Sequence, residues 1–330
     1  MQDRLKGLDD MEEKKVRIIT YGLRYPDFET QRELFALRNN GDIEIVAEIG
    51  YDSENPEIFG KRMTLEAGLG CGYDCVVLCG GDVADLNKLE VTRLLEMSDL
   101  TVPHYEKIKH TQLSILQELV EAPDEKIKDR SWLRDRIFAY GFFPFFKLAK
   151  EPQDGVTWST RGILQVPDEF LDFCKVLTEM KAENAIEIGV ARGASSYVIA
   201  ALLYRNNPEL VYHMVDICDD LNDFEKVQSV IPALRKDIPN TSDDFVGQEF
   251  DFCFIDADHS YDGMIRDWEN VGRYTKKMLV FHDIFGHEYD ELNGGTVRGW
   301  QEIKNKVSEK HVREISEYPD RWMGLGLIYL

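Results

Sequence analysis

At 330 residues the chain is longer than one ordinary domain, and its 43% hydrophobic content is enough for two packed cores. Its 61 acidic residues against 39 Lys and Arg leave a net charge of −22, which repels a phosphate backbone and argues against nucleic acid as a partner. No apolar run is long enough to span a bilayer, and Met1-Gln2-Asp3-Arg4-Leu5-Lys6 lacks the apolar core of a signal peptide. A cytoplasmic protein with no membrane partner is expected.

Residues 1–15 are charged and aperiodic, a frayed or helical lead-in. Val16 to Gly22 then reads as a strand ending at glycine, Glu29 to Arg38 as a helix, and Asn39-Asn40-Gly41-Asp42 as the turn that closes it. Ile43 to Ile49 alternates as a second strand, and Tyr73 to Gly81 contains a third. These elements predict a small parallel α/β domain over 1–100. The six cysteines sit mostly in apolar runs and read as buried thiols. Cys75 and Cys79 bracket a strand, which holds them too far apart to share one metal ion.

The first 80 or so residues resemble the Rossmann-type domain of enzymes of surface-polysaccharide and sugar biosynthesis. The resemblance rests on the first strand, on Asp42 to Ala47 with Gly60-Lys61 after it, and on Tyr73 to Val77. Where that family carries a glycine-rich phosphate turn, this chain has Gly22-Leu23-Arg24-Tyr25-Pro26. A single glycine does not give pyrophosphate its close backbone approaches, so a structural or docking role is expected here. Residues 101–155 read as a helical connector dense in aromatics from Trp132 to Phe146. Such a cluster suits a core, or an interface between copies of the chain in a homo-oligomer.

A third segment, 156–330, opens with a helix over Pro167 to Met180. Asn184 to Ile188 is then a short buried strand carrying Glu187, followed by a turn with Gly189 and Gly193 and an apolar helix beginning at Ala194-Ser195-Ser196. Leu210 to Asp216, Phe250 to Asp256 and Lys277 to Asp283 are three further strands, each ending on a carboxylate. That places several acids along the carboxyl edge of one parallel sheet, where ligands of open α/β sheets bind. Val312 to Ile315 and Gly324 to Leu330 complete the segment as an antiparallel hairpin. The turn is not a dinucleotide fingerprint. Ser196 stands where a third glycine would, and 29 residues separate Glu187 from Asp216, against about 20 in that pattern.

Four stretches in order, Glu187 to Ser195, Val215-Asp216, Ile255 to Gly263 and Phe281-His282-Asp283, resemble the class I S-adenosylmethionine-dependent methyltransferases, and within them the sugar and natural-product O-methyltransferases. The resemblance implies a Rossmann-like seven-stranded sheet with its last strand antiparallel. It further implies that Glu187, Gly189, Arg192, Gly193, Ser195, Asp216 and Asp256 bind the cofactor, with Glu187 on its amino group and Asp216 on both ribose hydroxyls. A sulfonium cofactor carries positive charge and no phosphate, so carboxylates suit its seat. In metal-dependent members, the corresponding positions bind magnesium, which makes Asp256, His282 and Asp283 the metal candidates here. Imidazole is a poor ligand for so hard an ion, and metal use stays open. His259, on the loop directly after Asp256, offers a general base instead, and Asp256 is the other catalytic candidate. For Arg298 and His287 a surface role is as well supported as a substrate contact.

The resulting expectation is an O-methyltransferase acting on a small polar acceptor, a sugar or sugar conjugate in glycan or natural-product biosynthesis. The rivals are a dinucleotide-dependent oxidoreductase or epimerase, and a cofactor-binding scaffold without catalysis.

Overall fold

The computed structural model describes residues 15–23, 28–49, 59–80, 94–145, 154–307, 311–318 and 322–330. Two compact units divide the chain: 1–110 with 141–160, and 111–140 with 161–330. The segments either side of residue 141, read above as parts of one connector, thus belong to different units. The lead-in before Lys15 and the Arg24-Tyr25-Pro26 turn lie outside the described residues. Among the described residues, no helix is long and apolar enough to cross a membrane.

In the first unit, β1 (Val16–Tyr21), α1 (Phe28–Asn39), β2 (Ile43–Ile49), α2 (Leu65–Leu69), β3 (Cys75–Leu78) and β4 (Leu94–Glu96) follow one another. The strands form an all-parallel sheet in the order β2-β1-β3-β4. Alternate residues feed two cores. Ile18, Ile43, Ile45, Cys75 and Val77 pack with Leu34 and Leu37 of α1, while Ile19, Tyr21, Ala47, Ile49 and Val76 fill the other face. Burial on both faces is what a covered parallel sheet requires. β4 was not legible as a strand, since two of its three residues, Leu94 and Glu96, are exposed. Helix α3 (Met97–Glu121) follows.

The second unit adds α4 (Asp124–Ile127), α5 (Arg130–Tyr140), α6 (Pro167–Leu177), β5 (Asn184–Ile188), α7 (Ala194–Asn206), β6 (Val211–Val215), α8 (Phe224–Val230), β7 (Leu234–Asp237), β8 (Phe250–Ile255), α9 (Tyr261–Asn270), β9 (Thr275–Gly286), α10 (Gly295–Lys304), β10 (Val312–Ile315) and β11 (Trp322–Tyr329). Phe138 and Tyr140 of the aromatic stretch are buried within this unit, and Phe142 and Phe143 within the first. The sheet has seven strands in the order β10-β11-β9-β8-β5-β6-β7, with β11 antiparallel to both its neighbours. The fold is α/β, as expected.

Helices cover both faces of this sheet. On one side Phe173 of α6 packs its ring 5.8 Å from Phe254. On the other, Ile186, Ile188, Ile255 and Phe281 pack with Met264 of α9 and Trp300 of α10. A Cβ at Gly326 would come within 2.7 Å of the Trp300 ring, so only glycine lets that indole lie on β11. Helix α7 is buried along nearly its whole length, as its run from Val198 to Leu203 demands.

The register decides where chemistry can occur. Ile188 pairs with Val215 on one side and Ile255 on the other, and Ile255 pairs with Phe281. The next residues along, Gly189, Asp216, Asp256 and His282, therefore fall in one row across four strands.

Candidate functional site

Gly189 leaves β5 at φ 89° and passes directly over β8. A Cβ there would lie 2.6 Å from the Asp256 carbonyl carbon and 2.7 Å from the Ala257 Cα, so the position admits only glycine. Ala191 and Gly193 also take positive φ, which folds the turn back before α7 begins. Asp216 stabilises that turn. Its Oδ2 accepts hydrogen bonds from Val190 N at 3.0 Å and Ala191 N at 2.9 Å, and its Oδ1 accepts from Cys218 N at 3.2 Å. Oδ1 keeps a lone pair for a ligand hydroxyl, while both of those on Oδ2 are taken by the turn.

A cavity of about 620 Å³ opens beside this turn. Gly189, Asp216, Asp256 and His259, all expected at the site, line it. So do residues the sequence did not single out, including Ile217, Thr241, Ser242 and Asp267. Ile217 is 69% exposed, an apolar side chain held out over the cavity rim. Asp267 is buried on α9 and accepts from Ser242 Oγ at 2.6 Å, and burial pushes its carboxyl pKa up. Arg192, Gly193 and Ser195 lie further along the turn and the first turn of α7, outside the cavity lining.

Glu187 lies beneath the turn and only 1% of it is exposed. It takes a 2.5 Å hydrogen bond from Tyr212 OH. Loss of solvent drives its pKa up to about 8, aided by the charges of Asp256 and Asp216 and opposed by the Tyr212 bond. The carboxyl of the protein alone is therefore mostly protonated at neutral pH.

Beside the cavity, two carboxylates and two imidazoles meet. His282 Nδ1 lies 3.1 Å from Asp256 Oδ1 and 3.4 Å from Asp283 Oδ1. His259 Nε2 lies 3.1 Å from Asp283 Oδ2 and 3.4 Å from Asp256 Oδ1. Burial opposes charge on His259, yet its bonds to Asp256 and Asp283 outweigh that and raise its pKa to about 10. His282 is raised to about 9, again against burial, by the charges of Asp256 and Asp283. The two imidazoles likewise overcome the burial of Asp256 and hold it near 2.

Asp283 reaches this cluster through a backbone device. The expected end of the strand at Asp283 is corrected: β9 runs on to Gly286. Asp283 sits within it at φ 54°, opposite a register shift between Met323 and Leu325 of β11, where Gly324 has φ 85°. In a regular strand neighbouring side chains point to opposite faces. The irregularity lets consecutive His282 and Asp283 face the same cluster. Tyr289 covers the cluster, stacked on the His259 ring at 4.5 Å.

Asp256, His259 and Asp283 each offer a ligand atom, all within 4.8 Å of one another. The expected metal set had His282 in place of His259. Here His282 backs Asp256 from below, 4% exposed, with Nε2 buried and unbonded. Arg298 is stacked over the Tyr261 ring at 3.9 Å and bonded to Asn293, and His287 pairs with Asp290 at the surface.

Residues 186–284 match the family model described as "Methyltransferase domain". These residues carry a methyltransferase domain. No curated protein matches the chain. Among solved structures, the O-methyltransferase TomG from Streptomyces achromogenes, involved in tomaymycin synthesis and in complex with SAM, is 16% identical, over 51% of this chain and 82% of that one, with a TM-score of 0.35. The O-methyltransferase from Bacillus cereus in complex with SAH is 15% identical over 49% and 79%, with a TM-score of 0.32. The MycE methyltransferase of the mycinamycin pathway, in complex with Mg, SAH and mycinamycin VI, is 13% identical over 49% and 48%, with a TM-score of 0.34. The matched span of the methyltransferase domain holds the glycine turn, Asp216, Asp256, His259 and both His282 and Asp283, and thus the whole cluster described above.

Proposed function

We propose that the protein transfers a methyl group from S-adenosylmethionine to a hydroxyl of a small polar acceptor, a sugar or sugar conjugate. The observation that carries this reading is the meeting of Asp256, His259, His282 and Asp283 beside the cavity that Gly189 and Asp216 line. The cavity lining carries Asp216, Asp243, Asp256, Asp258 and Asp267 against the guanidinium of Arg266 and the imidazole of His259. That charge balance suits a sulfonium and an ammonium, and it disfavours the pyrophosphate of a dinucleotide. The sugar assignment of the acceptor rests on the resemblance of the first 80 residues.

In this reading the glycine turn seats the methionine end of the cofactor, Glu187 gives up its proton to pair with the cofactor ammonium, and Asp216 accepts from the ribose. Methyl transfer is an in-line displacement, so the acceptor oxygen must be held opposite the sulfonium and must lose its proton. Asp256, His259 and Asp283 fit a divalent cation by donor chemistry: two carboxylates and one imidazole, with His282 holding Asp256 in place. An imidazole among the donors favours Mn²⁺ or Zn²⁺ over Mg²⁺. Such an ion supplies Lewis acidity toward the acceptor hydroxyl. His259 already carries a proton at neutral pH when it faces both carboxylates without a cation, so we assign it to ion binding in preference to the base role.

Calorimetric titration with S-adenosylmethionine, S-adenosylhomocysteine and NAD, each with and without Mn²⁺, tests the reading. Binding of both sulfur cofactors is expected, with Mn²⁺ heat lost in Asp283→Asn. Binding of NAD alone overturns it.

A further inference from the structure

A second cavity, of about 600 Å³, lies on the C-terminal unit, and its lining shares no residue with the cavity described above. Its lining includes Lys277 and Met278 at the start of β9, whereas the cofactor edge begins at His282. Lys277 Nζ donates to Lys181 O, just before β5, and to Asp251 near the start of β8. The cavity thus opens at the amino ends of strands whose carboxyl ends carry the methyltransferase site.

Its charge runs against that of the chain. The whole molecule carries −22, yet Lys128, Lys175, Lys277 and Arg313 line this cavity against two carboxylates, Asp172 and Glu179. Those carboxylates are already engaged. Asp172 accepts from Arg130 at 2.9 Å, outside the lining, and Glu179 reaches Lys128 at 4.0 Å. Lys277 is paired with Asp251. Lys175 and Arg313 have no ion pair among the described residues, which leaves two uncompensated cations facing one space. Ile127, Met180 and Met278, all buried, supply an apolar floor, and Tyr329 an aromatic wall. The volume falls in the range of small-molecule sites, about 300 to 1,000 Å³.

We propose that this cavity binds a small organic phosphate, its apolar body on the Met180–Met278 floor and its phosphate between Lys175 and Arg313. Two unpaired cations match the nearly double charge of a phosphate monoester at neutral pH, and the guanidinium of Arg313 can donate two parallel hydrogen bonds to it. A ligand held there is on the wrong edge of the sheet to receive the methyl group. It is an effector or an anchor, and not the acceptor.

Titration of the full chain with 1-naphthyl phosphate, 1-naphthol and inorganic phosphate, with and without saturating S-adenosylhomocysteine, tests this. 1-Naphthyl phosphate is expected to bind at least tenfold more tightly than either fragment. The double substitution Lys175→Ala with Arg313→Ala, at two exposed positions, is expected to weaken it at least tenfold and to leave S-adenosylhomocysteine binding unchanged. Equal binding of 1-naphthol, displacement of the probe by S-adenosylhomocysteine, or indifference to the double substitution overturns the proposal.

Discussion

Replacing Glu187 by Gln isolates what it costs to place a carboxyl beneath the glycine turn. The folded pKa, about 8, lies above the ordinary value of 4.5, with loss of solvent as the main cause. A raised pKa contributes fully below pH 4.5 and its contribution is lost as pH rises toward 8. Each unit between those limits costs about 1.4 kcal/mol, so the native chain gives up on the order of 3 kcal/mol by pH 7. Glutamine keeps an acceptor for Tyr212 OH but never ionises. Urea denaturation of the ligand-free protein, followed by tryptophan fluorescence at several pH values from 5 to 8, reads the difference directly. Glu187→Gln should match the native chain near pH 5 and exceed it by about 3 kcal/mol at pH 7. A difference that is constant with pH, or a variant less stable at pH 8, would refute the reasoning. It would mean that the buried carboxylate is charged and compensated.

Gly189→Ala should destabilise the C-terminal unit by about 1–3 kcal/mol from positive φ alone, with further loss from contact against the Asp256 backbone, and thermal unfolding measures it. Asp216→Ala removes the acceptor of two turn amides and, on the proposed function, of the ribose; calorimetry should show cofactor affinity down at least tenfold, about 1.4 kcal/mol or more, with circular dichroism unchanged.

The strands that carry the site were legible because they are buried on both faces and end where a polar residue begins. Asn184–Ile188, Phe250–Ile255 and Val211–Val215 stand out as short apolar runs, and their common register places Gly189, Asp216 and Asp256 in one row. β7 escaped notice because Leu234-Arg235-Lys236-Asp237 is an edge strand with exposed charges at Arg235 and Lys236. With it went the loop after it, and so Thr241 and Ser242 were not recognised as cavity lining. The approach of His259 to Asp283 depends on a loop returning to another strand, a contact between residues 24 positions apart that local pattern cannot reveal. The extension of β9 past Asp283 was hidden for a related reason. Only the matching irregularity in β11 allows the strand to continue through a residue at positive φ.

That irregularity also has a meaning in time. Strand β11 supplies none of the cluster's ionisable groups, yet it is the neighbour against which Asp283 is turned toward His259. During synthesis the glycine turn, both imidazoles and both carboxylates emerge from the ribosome before Trp322–Tyr329 does. A nascent chain halted at residue 315 holds every residue of the cluster and lacks the strand that aligns them, so the cluster should assemble only as that strand docks.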